Sequence, residues 1–420
     1  MKNDLKLIQL ERLYAILNRV YKEVPFYRSL FNRYNLDPEE FSDLTELKKY
    51  PFTTREDLQK NYPYQMFAVP LREVVRIQAS SGTTGEPIVV GYTKNDLTLL
   101  AELNAKALQS MGITKDDVLQ ITFHHGLFAS AFGIQSGAEL IGASVIPINL
   151  EDPRKQLKIM QDYRTTTMVC TPSYAIWLSE VLLQTDINPH ALMLKRFILC
   201  GEPFTEKQKE HLQSLFKVKV YDLYAVMEIF GPGVAFECRE QKGLHFQEEH
   251  FYVEILHPET LEPVNPGELG EIVITTLTKE AFPLIRYRTG DLTIPLKETC
   301  PCGSPYLLTT HIVGRKDDLV MLRGIKFHPS QIELLLEAVT GEKLPFQILL
   351  YREEGIEKVL LLVALSENLF TDSFSAQENL KKNLEERLYL EFNLPIKVKF
   401  VEEGSFEKKN GKILRIIDKR

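Results

Sequence analysis

The sequence predicts an α/β protein: a large N-terminal α/β domain carrying a β subdomain, followed by a small α+β C-terminal domain. Three observations lead there. From residue 74 to about 225, short apolar runs alternate with helical stretches, the pattern of a sheet with crossover helices. From 250 to 312 the chain becomes rich in β-branched residues, with turns at Asn265-Pro266-Gly267 and Thr289-Gly290-Asp291. After Gly314-Arg315 a new strand–helix alternation of about 100 residues begins, the length of a small domain. The implied boundaries are 1–314 and 315–420, with the β subdomain at about 235–312.

Residues 1 to about 50 carry an amphipathic helical pattern (Leu5, Ile8, Leu13, Ile16, Leu17), broken by Pro51-Phe52-Thr53-Thr54. Apolar strands are expected at 118–123, 143–148, 167–170 and 196–199, with helices such as 154–163 and 205–216 between them. The C-terminal domain should hold a helix at 329–339, strands near 346–351 and 358–365, a helix at 375–391 and a strand at 396–401. No internal repeat or low-complexity segment interrupts this order.

The bulk composition is that of an ordinary globular protein, with 420 residues, 44% hydrophobic and 25% charged. A net charge of −7 argues against nucleic acid or an anionic membrane as the main partner. No apolar leader core follows Met1-Lys2-Asn3-Asp4, and no uninterrupted apolar stretch is long enough to span a bilayer. Five cysteines do not make a disulfide framework in a chain this size, so a cytoplasmic location is expected.

The segment Ser80-Ser81-Gly82-Thr83-Thr84-Gly85-Glu86-Pro87 is the most informative stretch. It lies between two strand-like runs, Val74, Val75, Ile77 and Ile88, Val89, Val90. Its glycines let backbone N–H groups converge on an anion, and its hydroxyls can donate to phosphate oxygens. It is not a Walker loop, since no Gly-Lys-Ser/Thr follows and the next element reads as strand. Taken alone it also fits a polar hairpin turn.

Four further segments carry possible chemistry. Tyr221-Asp222-Leu223-Tyr224-Ala225-Val226-Met227-Glu228 ends an apolar strand in acids and an aromatic. There Asp222 could accept from an adenine amino group, Tyr224 could stack on a base and Glu228 could hold magnesium; a strand end with solvated acids fits as well. In Arg286-Tyr287-Arg288-Thr289-Gly290-Asp291, the carboxylate beside a glycine turn could take both hydroxyls of a ribose, or simply cap a hairpin. Gly314-Arg315-Lys316-Asp317-Asp318 is a charged, glycine-led segment at the domain boundary, suited to a hinge. Lys408-Lys409-Asn410-Gly411-Lys412 is a basic loop near the C-terminus, of the kind usually found as solvated surface.

The cysteines separate into two kinds. Cys170 and Cys200 end apolar strands and read as small buried hydrophobes. Cys300-Pro301-Cys302-Gly303 is a tight turn in which two thiolates can grip one ion, and Cys238 and His245 flank the turn Gln241-Lys242-Gly243. Cys238, His245, Cys300 and Cys302 together form a structural zinc set if the two hairpins meet; otherwise they are unligated thiols in a reducing compartment.

In order, spacing and wording, the five segments resemble the acyl-adenylate-forming superfamily, and within it the phenylacetate–CoA ligase family, from Pro51 to the C-terminus. The most telling phrases are Asp222-Leu223-Tyr224, Gly231-Pro232-Gly233-Val234-Ala235-Phe236-Glu237-Cys238, Pro283-Leu284-Ile285-Arg286-Tyr287-Arg288-Thr289-Gly290-Asp291 and the run from Gly314 to Glu333. The resemblance implies the adenylate-forming enzyme fold with a mobile C-terminal domain. It implies that Ser80, Ser81, Gly82, Thr83, Thr84 and Gly85 hold the β/γ-phosphates of ATP, and that Gly201-Glu202-Pro203 line the adenine. Asp222 would meet the adenine amino group, with Tyr224 against the ring, and Glu228 would hold Mg2+. Asp291 would bind the ribose, with Arg315 nearby. Asp317 would be the hinge and Lys412 the catalytic lysine. The zinc set Cys238, His245, Cys300 and Cys302 falls within the resemblance.

The implied reaction is ATP-dependent ligation of an aryl or arylacetyl acid to CoA through an acyl-AMP, with pyrophosphate and then AMP released. The first step builds negative charge in line at the α-phosphate, which calls for a metal and a cation but no protein nucleophile. The acyl pocket would be lined by Phe123, His124, His125, Gly126 and Phe128, with the histidine pair where a Tyr-containing stretch is more usual. A histidine there would make the pocket more polar and suit a hydroxylated, amino-substituted or heteroaromatic acid. Two positions depart from the family pattern: Glu86 replaces a usual lysine, and Ala225-Val226-Met227 replaces Gly-x-Ser/Thr. The resemblance leaves room for a homodimer. The rival readings are an adenylyltransferase of the type that adenylylates a deazaflavin coenzyme, and a non-catalytic nucleotide-binding homologue.

Overall fold

The computed structural model describes the chain except for residues 1, 80–86, 124–129, 150–151, 203, 205, 317–319, 324, 328, 343, 354, 366–373 and 410–411, and, for side chains, also 2–3, 130, 326, 330, 334, 374, 403, 408–409 and 412–413. It forms two compact units, Met1–Lys316 and Asp317–Arg420.

The first unit is built on an eight-stranded mixed sheet. Five strands run parallel, in the spatial order Ser144–Ile148, Val118–Thr122, Thr167–Cys170, Arg196–Cys200 and Lys219–Val226. The sheet then turns antiparallel through Gly231–Glu237, Leu244–Phe246 and Leu308–Thr309. The parallel strands are apolar on both faces because helices such as Pro153–Asp162, Pro172–Leu183 and Glu206–Phe216 connect them, so both faces are covered. Ligands of open α/β sheets bind beyond the carboxyl ends of parallel strands. Phe123, Gly201-Glu202 and Met227-Glu228 each directly follow such an end.

A second, four-stranded sheet joins Phe251–Leu256, Gly270–Thr276, Tyr287–Thr293 and Gly314–Arg315, all antiparallel. The β-rich stretch expected as one subdomain over about 235–312 is therefore divided. Residues 235–237, 244–246 and 308–309 complete the large sheet, and the rest make the small one. The cause is pairing partner rather than strand propensity, since the hairpin of Gly231–Glu237 and Leu244–Phe246 continues the edge left by Lys219–Val226. Gly243, in the turn of that hairpin, is required: at φ +128° an added Cβ would come within 2.2 Å of the Thr309 carbonyl oxygen.

The N-terminal helices Lys2–Glu23 and Pro25–Arg33 pack against this small sheet through Tyr27 and Phe31, both fully buried. The Pro51-Phe52-Thr53-Thr54 break is where they are tied down. The Thr53 amide donates to the Arg286 carbonyl at 3.1 Å, and the Arg288 amide donates to the Thr53 carbonyl at 3.0 Å. Arg286, with φ +46°, is buried and forms a two-pronged pair with Glu254 (2.9 and 2.8 Å), and its guanidinium lies 4.0 Å from the Phe52 ring centroid. Arg288 pairs with Glu271.

The first unit extends two residues beyond Gly314, because Arg315 pairs with Asp291 across the small sheet. The second unit carries a four-stranded sheet ordered Ile396–Val401, Ile356–Ala364, Phe346–Glu353 and Ile416–Asp418, with helices Pro329–Thr340 and Phe374–Phe392. Its core is separate and includes Phe327, Leu336, Ile348, Leu361, Leu384 and Val398. No helix among the described residues is long and apolar enough to cross a membrane.

Candidate active site

The strand Tyr287–Thr293 alternates buried and half-buried residues, so Thr289 and Asp291 share its inner face. Asp291 is 7% exposed; its Oδ2 accepts the Tyr224 hydroxyl at 2.6 Å and its Oδ1 accepts Arg315 Nη1 at 2.8 Å. Arg315 also donates to the Thr289 carbonyl at 3.2 Å. Both carboxylate oxygens of Asp291 are thus held by donors from neighbouring elements. Tyr224 is buried, and burial together with the Asp291 charge raises its pKa well above the ordinary phenol, so it remains a donor. Its ring meets Phe246 edge-on at 6.1 Å.

Glu228 sits in the turn after Lys219–Val226, 8% exposed, and its carboxylate lies 3.2 Å from Arg55 Nη1. Arg55 opens the helix Arg55–Lys60, whose capping box is made by Thr54 and Asp57. Tyr287 is buried, and burial together with the Glu228 charge raises its pKa well above the ordinary phenol. Gly201 has φ +90° with open space where a Cβ would be, and the Glu202 carboxylate accepts the Ser173 amide at 3.1 Å, at the start of Pro172–Leu183. Asp222 is tied to His311, whose Nδ1 is 2.8 Å from Asp222 Oδ2.

The cysteine set meets in space. The Cys238 and Cys300 sulfurs are 3.5 Å apart, Cys302 Sγ is 3.7 Å from His245 Nε2, and all four donor atoms lie within 4.8 Å of one another. A tetrahedral zinc with bonds of about 2.3 Å to sulfur spaces its ligands by about 3.8 Å, so the arrangement fits. Burial lifts the Cys238 thiol to about 12, against a backbone hydrogen bond at Glu240, and lowers His245. Cys170 and Cys200 are buried in apolar clusters, as small hydrophobes.

Of the sequence-derived site residues, Tyr224, Asp291 and Arg315 are joined directly, and Cys238, His245, Cys300 and Cys302 converge. Asp222, Glu228, Gly201 and Glu202 share the carboxyl-end side of the large sheet without direct contact to that trio. Phe123 is half-buried against the apolar cluster that contains Ile121 and Phe236. Ser80, Ser81, Gly82, Thr83, Thr84, Gly85, Glu86, His124, His125, Gly126, Phe128, Pro203 and Asp317, and the side chain of Lys412, lie outside the described residues. The loop 80–86 is nonetheless flanked by paired strands, Arg76–Ala79 and Val89–Tyr92. Lys412 belongs to a two-residue strand paired with Lys408–Lys409. Met227 is half-buried against the core that contains Tyr224 and Phe230. Sequence reasoning missed Arg55 and His311. Neither stands in a motif, and only the Pro51–Thr54 break hinted at the first.

Comparison with known proteins follows the same outline. The AMP-binding enzyme family matches residues 33–278, and the AMP-binding enzyme C-terminal domain matches 324–420. The chain is 41% identical to the phenylacetate-coenzyme A ligase of Thermus thermophilus, over 88% of this chain and 84% of that one. It is 36% identical to the phenylacetate-coenzyme A ligase of Escherichia coli, over 100% of this chain and 95% of that one. Among solved structures, 2-hydroxyisobutyryl-CoA ligase in complex with 2-HIB-AMP and CoA superposes with a TM-score of 0.91 at 26% identity, covering 100% of this chain and 91% of that one.

Proposed function

Because the chain belongs to the AMP-binding enzyme family, among the phenylacetate–coenzyme A ligases, we propose that it is an AMP-forming ligase joining an aryl or arylacetyl acid to CoA through an acyl-adenylate. The observation that carries this reading is the Tyr224–Asp291–Arg315 cluster, a carboxylate fixed by donors and suited to ribose hydroxyls beside a guanidinium suited to ribose or phosphate.

In the first half-reaction the acid's carboxylate attacks the α-phosphorus of ATP and the bond to pyrophosphate breaks. In the second the CoA thiol attacks the acyl carbon, loses its proton and expels AMP. Asp291 orients the ribose, Gly201 and Glu202 border the base, and Ser80–Gly85 take the outer phosphates. Glu228, whose carboxylate lies 3.2 Å from Arg55 Nη1, is the residue that would hold Mg2+, which supplies charge neutralisation on the polyphosphate. Lys412 is the cation assigned to charge developing at the α-phosphate, and Asp317 the point about which residues 317–420 turn between the half-reactions. Cys238, His245, Cys300 and Cys302 would hold a structural zinc, a role supported by the convergence of their donors, three of them on buried residues and Cys302 exposed. The cysteine usage supports a cytoplasmic location.

The test is a panel of carboxylic acids with ATP, magnesium and CoA, following AMP and thioester together. An aryl or arylacetyl acid should release AMP in step with thioester. Pyrophosphate release independent of CoA, with a stable adenylylated product, would point to the adenylyltransferase instead. In the same assay Lys412→Ala should slow acyl-adenylate formation on the order of a hundredfold, the usual loss for one electrostatic group, and leave thioester formation from supplied acyl-adenylate intact.

A further inference from the structure

His311 is the centre of a buried charge cluster. Its Nδ1 lies 2.8 Å from Asp222 Oδ2, while Nε2 lies 3.4 Å from Glu206 and 3.6 Å from Glu237. Glu237 is fully buried; it takes the Lys209 ammonium at 2.8 Å on one oxygen and the Asp222 amide at 3.1 Å on the other. The ring of Phe204, which follows Gly201-Glu202-Pro203, packs 5.2 Å from the imidazole. Burial pulls the His311 pKa down, but the hydrogen bond to Asp222 and the charges of Asp222 and Glu237 outweigh it, against Lys209, so the pKa is raised. The carboxylates of Asp222 and Glu237 thus face the His311 imidazole and the Lys209 side-chain nitrogen, with Glu206 mostly exposed at the rim.

Asp222 is held at both ends: its amide by Glu237 and its Oδ2 by His311. An ionised carboxylate only accepts, so His311 Nδ1 must carry the proton in that bond. Among the described residues nothing hydrogen-bonds Asp222 Oδ1. We propose that His311 is a positioning residue for base recognition, holding Asp222 so that Oδ1 faces the exocyclic amino group of a 6-aminopurine nucleotide. This rests on the reading of Asp222 as the base-contacting acid. A 6-oxopurine would bring a carbonyl oxygen against that carboxylate, two acceptors with no proton between them, and be rejected. His311 therefore helps set the preference for ATP without touching the base itself.

The experiment compares KM for ATP, ITP and the acid in wild type, His311→Asn and His311→Gln. The Asn amide places a donor where Nδ1 stands; the Gln amide places one where Nε2 stands and leaves Asp222 unheld. His311→Asn should keep the ATP-over-ITP preference within about threefold of wild type. His311→Gln should raise KM for ATP about tenfold, shrink the preference by a similar factor and leave KM for the acid unchanged. A ratio taken within one variant does not depend on the fraction folded, so instability in either variant does not blur the outcome. Equal behaviour of the two variants, or a loss in His311→Gln shared by ATP and ITP, overturns the assignment. A wild-type enzyme indifferent to ATP and ITP instead removes Asp222 from the base site, and the proposal falls with its premise.

Discussion

Two lysines of the first unit are buried and are accommodated in opposite ways. Lys209 places its ammonium 2.8 Å from the Glu237 carboxylate, within the cluster that includes His311 and Asp222. Lys279 is fully buried between the rings of Tyr92 and Phe230, 3.9 and 4.4 Å from their centroids, with no hydrogen-bond partner for its nitrogen among the described residues. Burial drives the Lys279 pKa down to about 7, opposed only by the charge of Asp96. Ring faces stabilise a desolvated cation by about 2 kcal/mol. Taking an ammonium out of water costs several kcal/mol. Lys209 thus has a carboxylate within hydrogen-bond reach, whereas an aromatic lining leaves Lys279 close to losing its proton.

The cysteine cluster extends the comparison, since its thiolates would be compensated by a metal rather than a side chain. Elemental analysis of chelator-washed, folded protein should find one zinc per chain; finding none sinks the site. Cys300→Ala should lower stability by more than about 5 kcal/mol, given that structural zinc contributes about 10–16 kcal/mol in small metal-dependent domains, and should disturb ATP affinity far less. Lys209→Met should destabilise by about 3–5 kcal/mol in urea unfolding, because Glu237 is left as an unpaired buried carboxylate. Adding Glu237→Gln should recover much of that loss; no recovery would mean that packing, not charge, is at stake. Asp291→Ala tests a paired carboxylate proposed to bind the ribose. Removing a charged acceptor worth about 1.5–3 kcal/mol per hydrogen bond should weaken ATP binding tenfold or more by calorimetry. An unchanged dissociation constant would take Asp291 out of the site.

Lys279 gives the most diagnostic effect, because it is read as a pH dependence. Its folded-state pKa of about 7 lies below the unfolded value of about 10.4, so between them the unfolded chain binds a proton that the folded chain does not. Stability contributed at this site therefore rises as pH goes from about 7 to about 10, with a slope of at most about 1.4 kcal/mol per pH unit. Lys279→Met should flatten that part of the stability–pH curve and raise stability at pH 8 by about 3 kcal/mol, the proton-linked cost that the lysine carries there. A variant whose curve still rises with the wild-type slope would place the titration elsewhere.

The strands at 118–123, 167–170 and 196–199, and the last domain's helices at 329–339 and 375–391, were readable within a residue or two because hydrophobic periodicity is a property of a short window of chain. The motif around Asp291 was readable for another reason: a carboxylate after a glycine turn can be recognised by type and spacing. Its neighbours Arg286 and Arg288 look equally functional in sequence. The structure commits them to Glu254, Phe52 and Glu271, which anchor the N-terminal segment to the small sheet.

Local pattern was therefore enough for the α/β class and for the helices and strands of the C-terminal unit. It was not enough for partners. His311 reaches Asp222 across 89 positions, Arg55 reaches Glu228 across 173, and Tyr27 takes the amide of Ile285 across 258. The split of the β-rich region between two sheets depended in the same way on which edge each strand completed. Periodicity and turn chemistry act over a few residues, whereas a buried charge takes whichever opposite charge the packed sheets bring within about 3 Å. Only the tertiary structure could decide that choice.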